Sequence, residues 1–132
     1  MPTVDNLIEK QLMAIERKLW TNDPVLYKNN LLKGALLVFG ETGVITRDFA
    51  VDAIKTENAE NRKWAEVEFG AIHCVKLTED VALLTYTVSS RWNYESTAVT
   101  ALASSAYVKH GPDWKLAFHQ QTPIPVHQKN NS

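Results

Sequence analysis

One cysteine, Cys74, stands among 132 residues, so the chain can form no internal disulfide. No apolar run approaches the roughly 20 residues that a membrane-spanning helix needs, so no membrane association is expected. The opening Met1-Pro-Thr-Val-Asp-Asn6 has no basic segment followed by an apolar core, and no signal peptide is expected. A lone thiol without an export signal makes the reducing cytoplasm the expected compartment. An excess of charge of one sign is also missing. Fourteen basic and fifteen acidic residues leave a net charge of −1. Without a basic stripe, nucleic acid is not an expected partner. There is no glycine-rich phosphate loop. His73, Cys74, His110 and His119 lack the close pairing of zinc ligands, so neither metal nor cofactor is expected.

What is present fits one domain over 1–132, with a core at about 5–123 and a polar tail at 124–132. Val4, Leu7, Ile8, Leu12, Ile15, Leu19 and Trp20 follow helical spacing, predicting a helix over residues 4–20. Thr3 or Asp5 suits its start, and Glu9, Lys10, Glu16, Arg17 and Lys18 are assigned to its wet face. Asp23-Pro24 opens a second, short helix to Leu32, with Gly34 ending it. Ala35 to Phe39 reads as a strand, Gly40 to Gly43 as a turn, and Val44 to Thr46 as a return strand. A third helix is predicted from Arg47 to Lys55, with Phe49, Ala50, Ala53 and Ile54 inward, then a loop from Glu57 to Arg62.

Long strands follow: Trp64 to Leu77, Val81 to Trp92, Thr97 to His110 and Trp114 to Pro123. Ten or more residues exceed the usual five or six and imply a strongly curved antiparallel sheet. Helices first and strands last give an α+β class. Alternate residues share a face. One face collects Val67, Phe69, Ala71, His73 and Val75. Ala82, Leu84, Tyr86, Val88 and Ser90 join it, then Ala101, Ala103, Ser105 and Tyr107, then Ala117, His119 and Gln121. Apolar walls with a few polar groups are the pattern of a ligand cavity. The opposite face, with Leu83, Thr85, Leu102, Ala106, Leu116 and Phe118, carries little charge and is expected to make a homodimer. Cys74, alternating with His73, falls on that outer face.

Three segments carry a resemblance: Thr78-Glu-Asp-Val-Ala-Leu-Leu-Thr-Tyr86, Tyr107-Val-Lys-His-Gly-Pro-Asp-Trp114 and Phe118-His-Gln-Gln-Thr-Pro123. With the helix-helix-strand opening and Gly40-Glu-Thr-Gly43, they resemble the nuclear transport factor 2-like superfamily, also called cystatin-like or SnoaL-like. Within it the likeness is to small bacterial domains related to the association domain of calcium/calmodulin-dependent protein kinase II. It spans about residues 5–123. The resemblance implies a cone-shaped sheet wrapped around helices, with a pocket between them, and dimers or rings through the outer face. It does not imply an activity, since the superfamily holds enzymes and binders alike. The kinase domain's pocket arginines align with Val88, Ser105 and Gln121 here. The isomerase branch pairs a carboxylate base with a tyrosine. Tyr86 resembles the tyrosine, but the pocket strands offer no Asp or Glu.

His73 and His119 read either as a proton-transfer pair or as two half-buried histidines bonded to neighbours. Tyr86 either donates to a ligand oxygen or satisfies its hydroxyl internally. Ser105 has no evident base-and-acid arrangement. Trp20, Trp64, Trp92 and Trp114 read as packing residues. The expected ligand-lining set is His73, Tyr86, Ser105, Tyr107, His119 and Gln121, with His73, His119 and Tyr86 as the catalytic candidates. Three functions stay open. The first is a dimeric domain binding a small, mostly apolar ligand. The second is an isomerase, dehydratase or hydrolase using histidine. The third is an oligomerisation module.

Overall fold

The computed structural model describes residues 6–125. Its elements run α1 (Asn6–Leu19), α2 (Pro24–Asn30), β1 (Leu31–Phe39), β2 (Gly43–Thr46), α3 (Arg47–Ala59), β3 (Trp64–Thr78), β4 (Val81–Trp92), β5 (Val99–His110) and β6 (Asp113–Pro123). The proposed caps Thr3 and Asp5 and tail residues 126–132 lie outside the described residues. Among the described residues, no helix is long and apolar enough to cross a membrane.

Six strands form one sheet in the order β2-β1-β6-β5-β4-β3. Every pairing is antiparallel except β1 with β6, which run parallel, Leu37 beside His119. Helices α1 and α3 contribute Leu12, Met13, Leu19, Ala50, Val51 and Ile54 to the buried interior. They meet Ala82, Leu84, Tyr86, Val88, Ala103, Tyr107 and Leu116 from the sheet. The second helix begins on the cap expected for it, and the third on a cap the sequence reading did not name. Asp23 caps α2 by accepting from the Val25 N–H at 2.9 Å, and Thr46 caps α3 by accepting from the Phe49 N–H at 3.3 Å.

Several boundaries differ from the sequence reading. β1 begins at Leu31, so α2 stops at Asn30, short of Leu32. Gly34 is therefore inside the strand, in a bulge where β1 spans Leu31 to Leu36 against Leu116 to Phe118 of β6. α3 runs to Ala59 and takes in half of the expected loop. Its buried face carries Val51, while Phe49 lies exposed.

Two further bulges decide which side chains face the core. Between Gly70 and His73, β3 takes three steps while β4 takes two, from Thr87 to Thr85. Ala71 occupies that irregularity with φ of 47°. The face parity inverts there. Val67 and Phe69 pack inward as expected, but beyond the bulge Ile72 and Cys74 face the core, and Ala71 and His73 are exposed. His73 therefore leaves the expected cavity set, and Cys74, assigned outward, is buried. On β6, Leu116 pairs with Tyr107 and Phe118 with Ala106, leaving Ala117 as the extra residue. Leu116 is thus fully buried and does not belong to the outer face.

Candidate functional site

The apolar stripe of α1 consists of Leu12, Met13, Leu19 and Trp20, and Glu16 lies on it, one helical turn from each. The sequence reading placed Glu16 in water. In the structure it is 1% exposed. A buried carboxylate is costly unless hydrogen-bonded, and the sheet supplies the donors. Tyr86 donates its hydroxyl to Oε1. Ser105 and Tyr107 donate to Oε2, at 2.9 and 2.5 Å. Tyr86 on β4 and Ser105 and Tyr107 on β5 reach this point because their strands keep a regular two-residue period over that stretch.

The network continues on both sides. The Trp20 indole N–H donates to the Tyr86 hydroxyl at 3.1 Å. Ser105 Oγ lies 2.7 Å from His119 Nδ1, and His119 Nε2 lies 3.0 Å from the side-chain nitrogen of Gln121. Proton bookkeeping fixes the tautomer. Ser105 has one hydroxyl hydrogen and gives it to Glu16, so it accepts from a protonated Nδ1. Nε2 is then a bare acceptor, which matches the amide N–H of Gln121 pointing at it. Every donor in the chain points toward Glu16, the pattern of an ionised carboxylate.

The electrostatics agree. Burial lowers the His119 pKa from 6.5, with Glu16 opposing, which favours the neutral ring. Burial, and then the Glu16 charge, push the Tyr86 and Tyr107 phenols well above their usual 10. Both hydroxyls therefore stay protonated as donors.

Serine, histidine and glutamate are present together, yet they are not wired as a hydrolytic triad. A triad carboxylate holds the histidine nitrogen remote from the serine. Here Glu16 holds the serine itself, and Gln121 occupies the remote nitrogen. Ser105 is 2% exposed, which leaves no approach for a substrate carbonyl.

Beside this network, between the helices and the open end of the sheet, lies a cavity of about 500 Å³. Its walls include Trp20, Tyr27, Phe39, Ile45, Ile54, Trp64, Trp92 and Ala101, with polar groups from Asn22, Glu57, Ser90, Glu95 and Gln121. Trp64 and Trp92 stack at 3.8 Å, and Trp20 leans on Trp64 at 5.1 Å. Two residues belong to both cavity and network, Trp20 and Gln121.

Of the six residues expected to share a site, Tyr86, Ser105, Tyr107, His119 and Gln121 meet in one hydrogen-bonded cluster, and His73 does not. Only Gln121 of the five lines the cavity; the other four lie behind its wall. Sequence reasoning missed Glu16, although its place on an apolar stripe was a readable signal. Trp20 and Trp64, assigned to packing, do pack in and against the core, and with Trp92 they also border the cavity. Among the described residues, no group of three or more His, Cys, Asp or Glu side chains could hold a metal ion.

No known protein family and no curated protein matches this sequence. Solved structures do match in fold. A candidate calcium/calmodulin-dependent kinase II association domain from Exiguobacterium sibiricum superposes with a TM-score of 0.73. It is 17% identical, over 96% of this chain and 99% of that one. A nuclear transport factor 2-like protein from Cytophaga hutchinsonii gives 0.69 at 18% identity, over 88% and 92% of the two chains. A candidate ketosteroid isomerase from Parabacteroides distasonis gives 0.68 at 12% identity, over 86% and 85%. At these identities the likeness concerns the backbone alone, and it agrees with the element order and the curved, unclosed sheet. The chain has the nuclear transport factor 2-like, or cystatin-like, α+β fold.

Proposed function

We propose that this chain is a binding domain for a small, largely apolar organic molecule seated in the cavity between helices and sheet. The observation that supports it is the cavity itself: about 500 Å³, walled by three tryptophans and backed by a fully hydrogen-bonded buried network. Cavities of this size and lining suit a compound of drug-like dimensions. The internal satisfaction of the network favours binding over acid–base catalysis. Tyr86 donates to Glu16 and accepts from Trp20, and both nitrogens of His119 are engaged. None of these groups has a free position from which to serve a reacting atom.

The same reading includes a homodimer through the outer sheet face, where Leu83 and Leu102 are exposed at 38 and 52%. Cys74, the single cysteine of the sequence, suits a reducing compartment such as the cytoplasm.

The test is a thermal-shift screen with aromatic and alicyclic small molecules, followed by tryptophan fluorescence titration. A ligand at a hundred times its Kd adds about 2.7 kcal/mol of stability. The expected result is a hit that raises Tm and changes tryptophan emission. Ala53→Trp, which fills the cavity, abolishes both effects. Hits that bind the Ala53→Trp variant equally well overturn the assignment of the cavity.

A further inference from the structure

Resting on that binding reading, we infer that the cavity selects an organic cation: an amine or ammonium group carried on an apolar, aromatic-sized body. The argument begins at Gln121. One of its two side-chain N–H groups is committed to Nε2 of His119, because the Nδ1–H tautomer leaves Nε2 as an acceptor. The cavity is then left with the second N–H of Gln121 and its amide oxygen. Nothing among the described residues hydrogen-bonds to it. The cavity floor therefore offers a ligand's hydrogen-bond donor an acceptor.

The walls offer the same, and favour positive charge. Glu41, Glu57 and Glu95 line the cavity, and no lysine, arginine or histidine does so among the described residues. Glu57 and Glu95 are half-buried, which weakens solvent screening of their charge. Each uses Oε1 internally, Glu57 accepting from Asn22 at 2.9 Å and Glu95 from the Trp92 N–H at 3.0 Å. Their Oε2 atoms carry no hydrogen bond among the described residues. The Tyr27 phenol, which borders the cavity, is pushed above its ordinary pKa by burial and then by Glu16 and Glu57. Burial dominates that shift, and the two carboxylates add to it.

The apolar lining fits the same ligand. Indole rings attract cations through the negative potential of their faces. Trp20, Trp64 and Trp92 border the space, Trp64 and Trp92 with one face each stacked on the other. An anion would meet three carboxylates without a counter-charge. A neutral apolar molecule would fill the volume but leave the carboxylates desolvated and unpaired. The hydroxyls of Ser90 and Thr42 can serve a ligand as donors or acceptors and do not alter the balance.

The experiment compares three probes of nearly the same shape at pH 7 by calorimetry and tryptophan fluorescence: 2-phenylethylamine, 2-phenylethanol and 3-phenylpropanoate. The amine is expected to bind at least about tenfold more tightly than the alcohol, and the carboxylate weakest. Raising salt is expected to weaken the amine alone. Glu57→Gln and Glu95→Gln, which keep an acceptor at Oε1, are expected to weaken the amine severalfold. Both should leave the alcohol within about twofold, with Tm unchanged to show intact folding. Equal affinity for amine and alcohol overturns the cation inference while leaving the cavity as a binding site. Tightest binding of the carboxylate overturns it as well. So does failure of all three probes, with the binding reading then decided separately by the screen and the Ala53→Trp variant.

Discussion

The Tyr107 hydroxyl donates to the Glu16 carboxylate at 2.5 Å, joining the first helix to the fifth strand within the buried interior. A hydrogen bond to a buried charge contributes about 1.5–3 kcal/mol. Tyr107→Phe is expected to lose that amount in urea unfolding, with an unchanged m-value. Glu16→Ala strands three hydroxyls at once and is expected to cost more, about 3 kcal/mol or above. A Glu16→Ala variant as stable as the parent would show that the carboxylate is not ionised and held as described.

Stability is expected to depend on pH at both ends. Burial lowers the pKa of His119 in the folded state below 6.5, so the unfolded chain binds a proton more readily. Its contribution is present above about pH 6.5 and is lost as pH falls through the lower folded value. The slope for one proton is at most about 1.4 kcal/mol per pH unit. His119→Asn should flatten that acid limb. Tyr27, Tyr86 and Tyr107 have raised pKa values, so their contribution is complete below pH 10 and is lost as pH rises above it. Chemical denaturation between pH 4 and 11 measures both limbs.

Ala71 holds φ of 47°, the left-handed region that side chains with a Cβ disfavour by about 1–2 kcal/mol. Ala71→Gly removes that strain and adds some chain entropy to the unfolded state. The net expected effect is a gain of about 0.5–1 kcal/mol in thermal or urea unfolding. A loss of similar size would mean that the bulge is not strained at this residue.

The outer sheet face predicts a mass of twice 14.9 kDa by light scattering. Leu102→Lys places a charge on the exposed face of β5 and is expected to give 14.9 kDa, because an unpaired charge buried in an interface is strongly unfavourable. A parent protein that runs as a monomer at micromolar concentration ends the dimer proposal.

The sequence was legible where its period was unbroken. Along β4, Ala82, Leu84, Tyr86, Val88 and Ser90 alternate without interruption, and all five are buried. The same reading failed on β3 because its bulge centres on alanine, which gives no composition signal for a positive φ. His73 and Cys74 exchanged faces as a result. On β6 the extra residue, Ala117, displaced only the part before it, so His119 and Gln121 were placed correctly and Leu116 was not. Glu16 was lost for a different reason. Helical spacing put it among Leu12, Met13, Leu19 and Trp20, but residue type outweighed position in the reading. A charged residue on an apolar stripe is the kind of local conflict that marks a buried polar site. The cavity's acidic balance was not legible, because Glu41, Glu57 and Glu95 come together only through the fold.

The parallel seam between β1 and β6 has a consequence for the order in which the chain assembles. The strands β3 to β6 are joined to one another by short turns and can zip up from neighbouring contacts. β1 cannot pair until β6, the last strand made, is in place, since its Leu37 lies beside His119. Closing so long a loop makes this step slow relative to the local hairpins. It also makes the β1–β2 arm a natural unit of partial opening. That arm carries Phe39, Thr42 and Ile45 of the cavity rim. Amide exchange along β1 and β2 should therefore run faster than along β4 and β5, and the rim should loosen before the buried carboxylate cluster is disturbed.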